Sequence, residues 1–178
     1  MVIWITGISG AGKSTIANAL MKLLKNKIPE LMNIDGDEVR DVFEEKLGYS
    51  EKDRILNIKR IQRLCLLLDR QKQIVITSAL YSNKDLLLWN RKHFSEYYEI
   101  YLDASIDLVK KRDVKGLYDK YAKGIERNIV GIDIPWNEPS KPDLKIDFKH
   151  KYSVSDITNK IIEIVPRFKK ISKKKVLY

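Results

Sequence analysis

The chain has 178 residues, 44% hydrophobic and 33% charged, which describes one soluble globular domain with room for a proper core. No apolar stretch is long enough to span a bilayer, and a single cysteine excludes an internal disulfide and fits a reducing cytoplasm. Thirty-four Lys and Arg against 24 Asp and Glu leave a net charge of +10, which suits nucleic acid or a site holding two polyanionic nucleotides.

Val2-Ile3-Trp4-Ile5-Thr6 is a short, β-branched, apolar run. It has neither the charged region nor the cleavage pattern of a signal peptide and reads as the first core strand. Gly7-Ile8-Ser9-Gly10-Ala11-Gly12-Lys13-Ser14-Thr15 follows at once, and then Ile16, Ala17, Ala19, Leu20, Leu23 and Leu24 recur at helical spacing. Strand, glycine loop and helix together are the context a P-loop needs. The glycines let backbone N–H groups turn inward on a phosphate, and the helix start adds partial positive charge. Lys13 can reach the β- and γ-phosphates, and the Ser14 hydroxyl can hold magnesium. The loop therefore predicts ATP or GTP binding.

The first helix is expected from Lys13 to about Lys25, and a second strand from Leu31 to Asp35. That strand ends in Asp35-Gly36-Asp37, with a helix expected from Glu38 to about Lys46. Ligands of open parallel sheets bind at the strands' carboxyl ends, so topology puts both aspartates near the P-loop. Turn formation and capping around Gly36 is the other reading of the pair. Ser50 is a good N-cap for a long helix from Glu51 to about Gln71. Its apolar set is Ile55, Ile58, Ile61, Leu64, Cys65 and Leu68, so Cys65 reads as core. Arg54, Asn57 and Arg60 form another stripe, either a binding face or a solvated one.

A third strand is expected over Gln73 to Ser78, then a short helix capped by Asn83. A fourth strand covers Tyr97 to Leu102, and Ser105 caps a helix to about Arg112. Lys115 to Asp133, with Gly116, Gly124 and Gly131, is long for a connection and reads as functional or as a partly helical lid. A fifth strand spans Asp143 to Phe148. The last helix runs from Val154 to about Phe168, weakened near Pro166. The alternation predicts an α/β fold, a doubly wound parallel sheet with right-handed crossovers. One domain covers residues 1–168, and a basic, solvated tail covers 169–178 with Lys169, Lys170, Lys173, Lys174 and Lys175.

Beyond the P-loop, no N-K-x-D run marks a GTPase, and small nucleotide or metabolite kinases fit the size and layout. Gly7 to Thr15, then Asn33-Ile34-Asp35-Gly36-Asp37-Glu38-Val39-Arg40, then Gly48-Tyr49-Ser50 with Asp53-Arg54 and Asn57-Ile58-Lys59-Arg60 occur in that order. Arg112-Asp113-Val114-Lys115-Gly116-Leu117-Tyr118 and Gly131-Ile132-Asp133 with Pro135 follow. Together these motifs resemble adenylylsulfate kinase, over most of the chain as far as Pro139. The resemblance implies a P-loop kinase with a mobile lid. It would move the γ-phosphoryl of ATP to the ribose 3′-hydroxyl of adenosine 5′-phosphosulfate (APS).

By that resemblance Gly7, Ser9, Gly10, Ala11, Gly12, Lys13, Ser14, Thr15 and Arg112 bind ATP. Lys13 and Asp37 are catalytic, Asp37 taking or orienting the 3′-hydroxyl proton. Ser14, and Asp35 through water, hold magnesium. Arg40, Tyr49, Arg54, Asn57, Lys115 and Ile129 join Asp37 in holding the acceptor, with Tyr49 stacking on its base. The resemblance also implies small-molecule nucleotide partners and an enzyme that is often dimeric; the single cysteine fits the cytoplasm, and with no aromatic interleaving or recognised module beside the basic tail, neither nucleic acid nor membrane is expected as a partner. The family's Ser-Pro-Tyr is Ala79-Leu80-Tyr81 here, so no phosphoserine forms there. Ser82 replaces a common arginine. Ile129-Val130 replaces Phe-Thr, removing one of two aromatic faces around the acceptor base. Two acceptors follow: APS with a weaker clamp, or cytidine diphosphoramidate, a pyrimidine nucleotide of capsule synthesis. A non-catalytic nucleotide-binding module, an RNA-associated protein and a kinase for an unrelated metabolite are the other classes. His93 and His150 belong to no metal or triad pattern.

Overall fold

Val2–Thr6 forms β1, the middle strand of a five-stranded parallel sheet ordered β2-β3-β1-β4-β5. The remaining strands are Leu31–Asp35 (β2), Ile74–Ala79 (β3), Tyr97–Asp103 (β4) and Leu144–Asp147 (β5). The structure is a computed structural model describing residues 1–81, 83–113 and 116–173. The helices are Lys13–Leu24 (α1), Gly36–Val42 (α2), Glu51–Arg70 (α3), Lys84–His93 (α4), Ile106–Arg112 (α5), Leu117–Ala122 (α6), Val154–Ile164 (α7) and Pro166–Lys173 (α8). Both faces of the sheet are covered, as the near-continuous apolar strands require. Ile3, Ile5, Ile76, Ile100 and Leu102 pack with α1, α7 and Phe168 on one face. Val2, Trp4, Val75 and Ala79 pack with α3 and α4 on the other.

The caps follow the sequence. Ser50, Asn83, Ser105 and Ser153 each accept a backbone N–H from the first turn of their helix, and Ser153 completes a capping box with Asp156. Cys65 is fully buried on α3, and burial pushes its thiol up to about 12, so it is an inert core residue. Buried polar groups behind the sheet pair with one another. Gln62 donates to Asn90, Asn90 to the Tyr97 hydroxyl, and Tyr97 to Glu99.

Two helices differ from the pattern. The second was expected over Glu38–Lys46 but ends at Val42, because arginines hold the next residues in another path. Arg60 lies over the Phe43 ring at 4.5 Å and donates to the Glu45 carbonyl, while Arg40 donates to the Leu47 and Gly48 carbonyls. The last helix breaks at Val165, whose extended backbone lets Pro166 start α8 and drives Phe168 fully into the core. α8 continues to Lys173, so Lys169 and Lys170 of the expected solvated tail are helical. Lys174 and Lys175 lie outside the described residues. The long segment after α5 is partly helical, as α6. No helix among the described residues is long and apolar enough to cross a membrane.

Gly36 is where β2 meets α2. A methyl group there would sit 2.9 Å from the Ser78 carbonyl oxygen and 3.2 Å from Ile61 Cδ1. Gly36→Ala should therefore lower stability by about 1–3 kcal/mol, read as a reduced urea midpoint. An unchanged midpoint would mean that β2 and β3 are not held this close.

Candidate active site

The P-loop leaves β1 through Gly7, whose φ of +153° and approach to the Leu102 carbonyl exclude a side chain. A Cβ on Gly7 would meet that oxygen at 2.6 Å. Gly12 caps α1 in the left-handed region, with no side chain closing the helix end and no acid in the first turn. The orphan N–H groups and dipole of this 12-residue helix are left for an anion. Lys13 Nζ donates to the Ile8 carbonyl at 2.9 Å, folded along the loop that it would leave to meet phosphate. Gly7 and Ala11 build the loop from behind: Ala11 is buried and its N–H returns to the Ile8 carbonyl at 3.2 Å.

The loop is tied to the end of β2. The Ser14 hydroxyl donates to Asp35 Oδ2 at 2.5 Å, and Asp35 Oδ1 accepts the Asp37 N–H at 2.9 Å. Asp35 thus caps α2 and faces the P-loop serine at once, so the capping and metal-supporting readings coexist in one side chain. No group of three or more metal-binding His, Cys, Asp or Glu occurs among the described residues. One hydroxyl and one carboxylate beside a phosphate loop nevertheless fit magnesium, which keeps waters and takes oxygens from its nucleotide.

A cavity of about 460 Å³ opens over the β1, β2 and β3 ends, within the usual range for small-ligand sites. It brings together Ser9, Gly10, Gly12, Lys13, Ser14 and Thr15 with Asp35, Asp37, Arg40, Tyr49, Arg54, Asn57 and Ile129. Arg54 and Asn57 are buried, 7% and 5% exposed, so their stripe of α3 is a wall of the site and not a solvated face. Arg54 donates to the Tyr49 and Asn128 carbonyls. Arg40 is also buried, and both guanidiniums pack on the Tyr49 ring, at 4.8 Å for Arg40 and 5.5 Å for Arg54. Burial, then the nearby Arg40 charge, lowers the Arg54 pKa. Neither arginine makes an ion pair among the described residues; the Asp37 carboxylate, which lines the same cavity, opposes the shift by favouring the charged form of Arg54. The Tyr49 ring, expected to stack on a base, is engaged by these two cations.

Three lining residues carry a buried polar atom with no hydrogen-bond partner among the described residues: Arg40 Nε, Asn57 Oδ1 and Ser78 Oγ. Buried polar groups are normally satisfied, so their concentration in one cavity marks a site for a polar ligand. Ser78, at the β3 end, was not among the expected site residues; its strand position is the signal that could have found it. Tyr81 also lines the cavity and donates to Glu51 at 2.6 Å. Tyr118 of α6 donates to the Ser9 carbonyl at 3.0 Å, closing the segment after α5 onto the P-loop. Asp113 accepts the Tyr118 and Asp119 N–H groups, which hold its carboxyl below the usual range against some desolvation. Ile129 is 2% exposed and gives an aliphatic wall, while Ala79 is fully buried. Arg112 is not in this cavity; it is exposed and lies over the Phe148 ring at 5.1 Å. Lys115 and Ser82 lie outside the described residues.

A parallel α/β sheet, a P-loop and an acid-bearing second strand at one cavity define a P-loop kinase. The family model for adenylylsulphate kinase matches residues 1–147. The adenylyl-sulfate kinase of Gloeothece citriformis is 37% identical over 145 residues, 82% of each chain. That of Bacillus velezensis is 36% identical over 166 residues, 92% of this chain and 84% of its own. The Mycobacterium tuberculosis APS kinase, solved with AMPPNP and APS, superposes with a TM-score of 0.84 at 29% identity, covering 93% and 96% of the two chains. The chain belongs to the adenylylsulphate kinase family and is a phosphotransferase.

Arg54→Lys keeps the charge and loses the planar fork. It should raise the acceptor KM about 10-fold or more, with the ATP KM unchanged in steady-state kinetics. Equal effects on both constants would show that Arg54 only supports the fold.

Proposed function

We propose that the enzyme transfers the γ-phosphoryl of ATP to the ribose 3′-hydroxyl of APS. The observation that carries the reading is the convergence of the P-loop, Asp37 and the buried Arg40–Arg54 pair on one cavity whose unpartnered polar atoms await a ligand. Membership of a family whose relatives are named adenylyl-sulfate kinases supports APS as the acceptor.

Phosphoryl transfer needs positioning and charge stabilisation more than covalent help. Lys13, moved from the Ile8 carbonyl, and the first-turn N–H groups of α1 hold the donor phosphates. Magnesium, held by Ser14 and through water by Asp35, would neutralise charge on the β- and γ-phosphates when bound. Asp37 stands beside that pair, two residues beyond the end of β2, and takes or orients the proton of the attacking hydroxyl. Arg40 and Arg54 hold the phosphosulfate oxyanions, and Asn57 and Ser78 satisfy their free atoms on the sugar or its substituents. The α6 segment, latched to the P-loop by Tyr118, limits access of water and curbs ATP hydrolysis.

Ile129 favours a second acceptor. One aliphatic wall, where the resemblance of the sequence implies phenylalanine, suits a smaller pyrimidine, as in cytidine diphosphoramidate. Only the acceptor changes in that reading.

A coupled ADP-release assay with magnesium-ATP should show turnover dependent on acceptor, with higher kcat/KM for APS than for cytidine diphosphoramidate. Asp37→Ala should lower kcat by about 10²–10⁴ while ATP still binds. A preference for the cytidine compound would move the assignment to the second acceptor, and near-normal turnover in the variant would remove Asp37 as the base.

A further inference from the structure

Helix α6 carries two tyrosines that reach opposite halves of the site. Tyr118 donates to the Ser9 carbonyl and holds the helix on the P-loop. Tyr121, one turn further along, donates to Asp133 Oδ1 at 2.9 Å. Neither Tyr121 nor Asp133 lines the cavity, and the transfer reaction described above uses neither.

Asp133 turns this contact toward the acceptor. Its other oxygen, Oδ2, accepts the Ile129 N–H at 3.1 Å. The Ile129 carbonyl in turn accepts the N–H groups of Ile132, Asp133 and Ile134 at 3.1, 2.9 and 3.1 Å. Both polar groups of the Ile129 backbone are thus fixed, which sets its buried side chain as a wall of the cavity. Gly131 closes the turn at φ +92°, where a Cβ would meet Ile106 Cδ1 at 2.7 Å.

The residue before Ile129 touches the other side of the acceptor pocket. Asn128 sits in the left-handed region at φ +63°, and its carbonyl accepts from Arg54 Nη2 at 2.8 Å. A non-glycine residue keeps such a backbone only where its neighbours hold it there. The charges agree with the contacts. The Ile129 N–H, and after it the Tyr121 hydroxyl, hold the Asp133 carboxyl below its usual range, and the bond to Asp133 raises the Tyr121 hydroxyl. The Tyr121 ring packs on the same core as Tyr118, so its hydroxyl is presented from an anchored ring.

We infer that Tyr121 is a positioning residue for the acceptor: through Asp133 it sets the Ile129 wall and the Asn128 carbonyl that receives Arg54. The inference rests on the reading of Ile129 and Arg54 as acceptor-binding residues. Tyr118 holds α6 on the P-loop separately, so loss of the Tyr121 hydroxyl leaves the donor side in place.

Steady-state kinetics with magnesium-ATP and APS test it. Tyr121→Phe keeps the ring and removes only the hydroxyl. It should raise the APS KM about 3-fold or more, with kcat, the ATP KM and the urea midpoint unchanged. Asp133→Ala should raise the APS KM at least as much. Tyr121→Phe should add nothing in that background, because the two side chains act through one bond. An unchanged APS KM in Tyr121→Phe, equal rises in both KM values, or additive effects in the double variant would overturn the inference and leave the transfer reading intact. A wild-type enzyme that transfers nothing to APS would overturn the acceptor reading and the inference with it.

Discussion

The hydrogen bond from Ser14 to Asp35 is the constraint on which the site depends. It joins the P-loop to the end of β2, two strand positions away in the sheet order. The same carboxylate caps α2 through the Asp37 N–H. One side chain thereby fixes the distance between the phosphate loop and the candidate base. Gly36 allows it, because the backbone there touches β3 too closely for any side chain. A donor phosphate and an acceptor hydroxyl brought in by these two strand ends meet by geometry, which is the larger part of what phosphoryl transfer requires.

Electrostatics supply the rest. The buried Arg40 and Arg54 share one aromatic ring and repel one another, and their hydrogen bonds go to backbone carbonyls that carry no full charge. Such a pair is costly until an oxyanion arrives. The net charge of +10 is thus given local meaning by two guanidiniums and a P-loop facing one cavity, an arrangement suited to two polyanions in one site.

Local features were legible in the sequence. Val2 to Leu24 reads as strand, loop and helix because each part is specified by its own residues, and the serine and asparagine caps mark helix starts in the same way. The spacing of Arg54 and Asn57 revealed a shared face. Their burial was not legible, since a charged stripe looks the same in solvent as against a cavity. The early end of α2 depends on Arg60, which grips residues distant in sequence, and propensity over residues 43–46 carries no trace of it. Tyr118 and Ser9 are 109 residues apart, so their hydrogen bond needs the folded chain. Ser78 was half legible, by its place at a carboxyl end and not by any motif.

In the proposed reaction the end of β2 directs a phosphoryl group onto one ribose hydroxyl. Proton and phosphorus NMR of the product formed from magnesium-ATP and APS reads this directly. A single new phosphate coupled to the ribose H3′ is expected, with one ADP formed per product. Phosphate coupled to H2′, or ADP accompanied only by inorganic phosphate, would contradict it.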